Sequence, residues 1–230
     1  MMPYDSSNRR RNAALVTLGI ILLSEVAGLV TGVGRLLLVQ WVTGGRAVLQ
    51  EVAEVSDFLV GCAAIFQLAA LVACAIAFSM WFHRVYRNLP ILGATGLALT
   101  PARAVGGFYI PFVNLIRPLE AMDEIWLNSQ LPAADPLLPP EQPRTVKIWW
   151  LSFLAANILA NLGATLLRGA DDLSRLRWGT VAMLVSDALA IVAAISAMHL
   201  VRQISAQQDA LHQYLEVRRT SRTPSEAGTA

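Results

Sequence analysis

The segment TPARAVGGFYIPFVNLIRPLEAMDEIWLNSQ, residues 100–130, sets how many times this chain crosses a membrane. Its apolar run, Ala104 to Ile116, is too short to cross a bilayer, whose ~30 Å core needs about 20 residues of helix. The run is also broken. Gly106 and Gly107 loosen the backbone, while Pro111 and Pro118 remove donors and bias Ile110 and Arg117 away from helix. Past Pro111, Phe112, Leu115, Ile116, Leu119, Met122 and Trp126 recur at helical spacing, with Asn114, Arg117, Glu120, Glu124 and Asn128 opposite. The segment therefore enters the membrane surface and returns. It does so either as a re-entrant element lining a cavity or as an amphipathic helix on the inner leaflet, with Arg117 toward phosphates and Trp126 at the headgroups.

Working outward, the flanks are apolar runs of spanning length. Residues 13–42 and 58–82 precede the segment, and 148–167 and 178–201 follow it. With 230 residues, 55% hydrophobic and 15% charged, the chain is too apolar for an ordinary soluble domain and short for a large transporter. The expected fold is all-α: a polytopic membrane protein of four transmembrane helices plus the interfacial or re-entrant segment. The expected organisation is a tail over 1–12, a membrane domain over 13–201, and a second tail, partly disordered, over 202–230. A proline-rich loop, 131–144, follows the central segment. The first run is too long for a signal-peptide core and carries Glu25, so it reads as an uncleaved span. Gly28 and Gly32 form a GxxxG within it, a hint of a helix contact face. Cys62 and Cys74 lie 12 residues apart on one helix, about 18 Å by helical rise, which excludes a bridge between them.

Orientation follows from the basic residues. With the N-terminus cytoplasmic, thirteen of the Lys and Arg residues fall inside: Arg9, Arg10, Arg11, Arg84, Arg87, Arg103, Arg117, Arg144, Lys147, Arg202, Arg218, Arg219 and Arg222. Four, Arg46, Arg168, Arg175 and Arg177, fall outside. That bias predicts an inner-membrane protein with both termini, the central segment and the proline-rich loop in the cytoplasm.

The polar residues inside the spans share a depth. Glu25, Gln67, Asn157 and Asp187 each sit near the middle of a run, and Asn161 lies one turn from Asn157 on the same helix face. A carboxylate at the bilayer centre costs about 2.5 to 3.5 kcal/mol, so the five are expected to face one another as a midplane layer. Such a layer acts as interhelical glue or, in the rival reading, as a proton or cation path through Glu25 and Asp187. His83 and His199 raise a bis-imidazole site only if their rings converge, and hydrogen-bonded interfacial histidines are the simpler reading. No Walker A loop, HExxH, CxxC or GxSxG occurs, and no basic patch with interleaved aromatics suggests nucleic acid. No cofactor, metal or catalytic residue is assigned.

The order Trp81, Arg84, Tyr86, Asn88, then Pro101, then AVGGFYIPFVNLIRPLEAMDEIW closing on Ser129 resembles the signature of a bacterial multi-pass family, domain of unknown function 4328. The fit is closest at Ala104, Val105, Gly106, Ile110, Pro111, Asn114, Leu115, Arg117, Pro118, Trp126 and Ser129. It departs at Gly107 and Phe108, where members often carry bulkier aromatics. The resemblance implies an integral membrane fold and brings no activity with it. The expected role is a non-enzymatic membrane interaction or scaffold protein. Its partners are the lipid bilayer and a further copy of itself or another membrane protein. The alternative is a small channel or carrier subunit.

Overall fold

The computed structural model describes residues 4–132, 144–169 and 172–222. Six α-helices follow in chain order: α1 Asn8–Thr43, α2 Gln50–Asn88, α3 Pro101–Gly106, α4 Arg117–Ser129, α5 Arg144–Leu167 and α6 Leu173–Arg222, with a 3-10 turn at Val113–Leu115. No strand occurs among the described residues. Helices α1, α2, α5 and α6 are each long and apolar enough to cross a membrane, so the chain is an all-α polytopic membrane protein. Residues 133–143 of the expected proline-rich loop, Asp171, and 223–230 of the C-terminal tail lie outside the described residues.

The spanning helices overrun their apolar runs because polar residues extend them without breaking them. Helix α1 stops where Gly44 and Gly45 follow it. Gly45 takes φ +78°, and Gly44 N and Arg46 N close on the carbonyls of Gln40 and Trp41 at 3.0 Å. Helix α2 restarts at Gln50, so the connection is shorter than the mixed composition of 43–56 suggests. Helix α6 starts ahead of its apolar run because Asp172 caps it, its Oδ1 accepting from Arg175 N at 2.7 Å. From there α6 runs unbroken to Arg222, past the polar stretch after Val201.

The central segment contains no crossing helix. Thr100 caps α3, accepting from Arg103 N at 3.3 Å, with Pro101 in the first turn. Pro118 occupies the corresponding place in α4. One expectation changes here. Phe112, Leu115 and Ile116 do not continue the apolar stripe of Met122 and Trp126, because the helix begins only at Arg117. They are exposed, whereas Met122 and Trp126 are buried. Phe112 is the centre of a γ-turn closed by Val113 N donating to Pro111 O at 2.8 Å, and its φ of +64° is strained for a bulky residue.

The chain divides into two compact units. One comprises Leu15–Ile76 and Ile148–Met198. Its inside is lined by small residues, among them Ser24, Ala63, Ala70, Ala156, Ala182, Ser186 and Ala194, while Leu23, Phe58, Ile65, Leu151 and Ile158 are 64 to 72% exposed. That is the pattern of helices packed in lipid, where close approach rather than hydrophobic collapse holds them together. At Gly163 on α5 a Cβ would stand 2.9 Å from Met183 of α6, so the two helices meet closely there.

The other unit comprises Met1–Ala14, Ala77–Lys147 and His199–Ala230. Its core is built from large side chains: Trp81, Phe82, Tyr86, Leu89, Met122, Ile125, Leu200 and Ile204 are fully buried. Phe108 packs edge to face against both Phe78 and Phe82, with Phe82 and Phe108 centroids 5.1 Å apart.

Candidate functional site

In the first unit the structure brings three of the five expected midplane residues together. Gln67 on α2 donates from Nε2 to Glu25 Oε2 on α1 at 3.0 Å and to Asp187 Oδ1 on α6 at 3.2 Å. One amide nitrogen thus joins carboxylates from two other helices. Gly28 makes the space: a Cβ there would lie 2.5 Å from Gln67 Nε2 and 2.7 Å from Asp187 Oδ2. Gly32, one turn on, faces Leu184 in the same way, with a Cβ 2.8 Å from its Cδ2. The GxxxG therefore forms a contact face toward α6. Two further polar contacts tie the helices: Arg35 pairs with Asp57 across α1 and α2 at 2.6 Å, and Ser186 Oγ of α6 donates to Ala156 O of α5 at 2.8 Å.

Asn157 and Asn161 share the depth of this cluster but stand outside it. Both are exposed, and their amides turn back on their own helix, Asn157 Nδ2 to Phe153 O and Asn161 Nδ2 to Asn157 O, each at 2.8 Å. The reason is azimuth. The buried side of α5 carries Ser152, Ala156 and Gly163, and the asparagines project away from it.

The second unit gathers most of the signature residues. Trp81 Nε1 donates to Ser205 Oγ at 3.0 Å. The Tyr86 hydroxyl donates to Glu124 and accepts from Leu99 N at 3.1 Å, while Glu124 Oε1 accepts from Ala98 N at 2.8 Å, which fastens the stretch before α3 to α4. Burial, reinforced by the bond to Glu124, pushes the Tyr86 phenol above its usual range. Asn88 Nδ2 donates to Asp5 O at 3.2 Å and to Gln208 Oε1 at 3.3 Å. Gln208, fully buried, donates from Nε2 to Val85 O at 2.9 Å and to Ser129 Oγ at 3.1 Å. Arg84 pairs with Asp5, and Tyr4 binds Asp209 at 2.6 Å while stacking on His212 at 4.1 Å. Pro101 and Pro118 start helices, Gly106 ends α3, and Pro111 opens the γ-turn. Asn114 N closes a wider turn around it on Ile110 O at 2.9 Å, and Arg117 forms an exposed pair with Glu120 at 3.0 Å.

Glu124, which the sequence places only on the polar face of the central segment, holds Tyr86 and Ala98 N, and Ser205 and Gln208 lie in a stretch whose sequence reads as polar tail. Gln208 carries a usable signal: Ile204, Gln208, Leu211 and Leu215 continue one stripe at spacings of four, three and four, which sets a polar residue on a buried face. His83 is half-buried, and burial together with Arg87, Arg10 and Arg84 lowers its pKa; His199 is exposed. Among the described residues no group of three His, Cys, Asp or Glu side chains is placed to hold a metal.

A model of the family described as a domain of unknown function, DUF4328, matches residues 44–206. The chain belongs to that family. Comparison with curated proteins and with solved structures gives no match. The DUF4328 match takes in Gln67 and Asp187, the whole central segment and Ser205. Glu25, Gly28 and Gln208 lie outside the matched range.

Proposed function

We propose that this protein is a non-enzymatic interaction or scaffold protein of the bacterial inner membrane, with both termini, the central segment and the proline-rich loop in the cytoplasm. The Gln67 bridge is the observation that supports the role. Its single nitrogen engages carboxylates on two neighbouring helices, so the hydrogen-bonding capacity of these intramembrane groups goes into holding α1, α2 and α6 at one level. The excess of Lys and Arg on the segments read as cytoplasmic supports the orientation. One observation favours a second reading, a small channel or carrier subunit: two carboxyl groups at one nitrogen make a site that can take a proton or a cation.

Isosteric variants separate the two readings. Glu25→Gln and Asp187→Asn keep hydrogen-bonding shape but can neither titrate nor balance a cation. As glue, both variants assemble with thermal stability close to the parent or higher, and parent proteoliposomes show no saturable proton or cation flux. A flux in the parent that both variants lose without losing stability would replace the scaffold reading with the channel one.

A further inference from the structure

We propose that the exposed face of α5 around Asn157 and Asn161 is the surface on which a second copy of this chain docks within the bilayer. Each asparagine side chain offers two N–H donors and an acceptor oxygen. One donor of each is used on the preceding turn, at 2.8 Å, and Thr165 Oγ1 continues the ladder to Asn161 O at 2.8 Å. The second N–H and the Oδ1 of each have no partner among the described residues. They sit near the middle of a membrane-spanning helix, on a side where Ile158 and Leu162 are 65% and 49% exposed. Hydrocarbon offers them neither donor nor acceptor, and the headgroups lie more than a helical turn away in either direction.

The chemistry of the face selects its occupant. The two amides are neutral and carry donors and acceptors in balance, about 6 Å apart along the axis. Two copies related by a two-fold axis present the same ladder to each other, so each free N–H meets a free Oδ1 in an isologous contact. Ala160 and Ala164, beside the asparagines, keep the face low enough for two backbones to approach. A polar residue at a helix seam sets register and partner number in coiled coils by this same self-pairing. The inference deepens the interaction role by naming its partner and rests on that role. It uses none of Glu25, Gln67 and Asp187, so each can fail separately.

The test is subunit counting by single-molecule photobleaching of full-length protein in liposomes over falling protein-to-lipid ratios. The parent is expected to be dimeric, and the double variant Asn157→Leu, Asn161→Leu should raise the dissociation constant at least about tenfold. A second measurement does not depend on that variant's folding. In a background with Cys62→Ala and Cys74→Ala, Asn157→Cys should form a cross-linked dimer on oxidation, while Val30→Cys, 68% exposed on α1, should not. A parent that is monomeric at every density overturns the proposal, as does a double variant that dimerises like the parent or cross-linking at 30 but not at 157. The Glu25→Gln and Asp187→Asn variants should dimerise like the parent; their flux assay alone decides the fate of the scaffold reading.

Discussion

Gly28→Ala puts one methyl group into the narrowest part of the membrane-embedded unit, and its consequence can be worked from distances. The added Cβ would stand 2.5 Å from Gln67 Nε2 and 2.7 Å from Asp187 Oδ2, whereas ordinary contact begins at 3.4 Å. Both obstructing atoms are the ends of flexible side chains, so the backbone need not move. The amide must retreat by roughly 1 Å instead, which carries its bonds of 3.0 and 3.2 Å out of hydrogen-bonding range. Interhelical hydrogen bonds in membranes average about 0.6 kcal/mol, with about 1.7 as the upper end, so losing two costs about 1 to 3 kcal/mol. For a chain of this size that lowers the melting midpoint by roughly 2 to 12 °C. The assay is thermal unfolding in mild detergent, with Gly19→Ala as control because nothing lies within 4 Å of its Cβ position. Repeating Gly28→Ala in a Gln67→Ala background should recover at least half of the loss. The reasoning is refuted if Gly28→Ala is as stable as Gly19→Ala, or if its cost is the same with and without the Gln67 amide.

Three further outcomes test the second unit. Gln208→Ala should destabilise by about 2 to 4 kcal/mol in chemical unfolding, since it strips partners from buried Asn88 and Ser129 and from Val85 O, whereas Ser205→Ala, which removes only the partner of Trp81 Nε1, should cost less. Asp123 is pushed above the usual carboxylate range by burial and pulled back by Lys147; native protein then binds its proton more tightly than unfolded chain, and this stabilisation is lost as pH rises above 3.8 through the raised value. Melting midpoints measured from pH 4 upward should therefore show Asp123→Asn gaining on the parent toward neutral pH; a constant gap would contradict the assignment. At the γ-turn, a fluorophore on Phe112→Cys should be quenched by lipid-borne quenchers, because Phe112 is 85% exposed and its neighbours Ile110 and Ile116 are exposed with it; quenching only by aqueous quenchers would place the turn in water.

Much of this architecture is legible in the sequence. Apolar runs of spanning length announced four crossings, and Pro111 and Pro118 announced that the central segment does not make a fifth. Position along a run grouped Glu25, Gln67 and Asp187, whose side chains meet in the structure. It could not say which polar residues face inward, since that depends on azimuth, and in lipid the inside is marked by small residues rather than hydrophobic ones. Asn157 belongs to a helix whose contact side is Ser152, Ala156 and Gly163, and a pattern sought in bulky apolar residues misses that side. Gln208 escaped for the opposite reason. It follows the apolar run, in a stretch whose polarity masks a continuing stripe, and its burial depends on Val85, Asn88 and Ser129, which are distant in sequence.

The contacts of Asn88 and Gln208 also carry a counting rule. Groups joined by hydrogen bonds in one compact unit lie at one level relative to a bilayer, so where that level is outside the hydrocarbon the chain between any two of them crosses an even number of times. Asn88 reaches Asp5 O, Gln208 reaches Val85 O and Ser129 Oγ, and Tyr4 reaches Asp209. The path from Asp5 to Asn88 then holds two crossings, α1 and α2, and the path from Ser129 to Gln208 another two, α5 and α6. Between Val85 and Ser129 the number is even as well, and α3 and α4, of 6 and 13 residues, are both too short to supply a pair, so it is zero. Parity reaches this conclusion from hydrogen bonds and helix length, without reference to the distribution of charge.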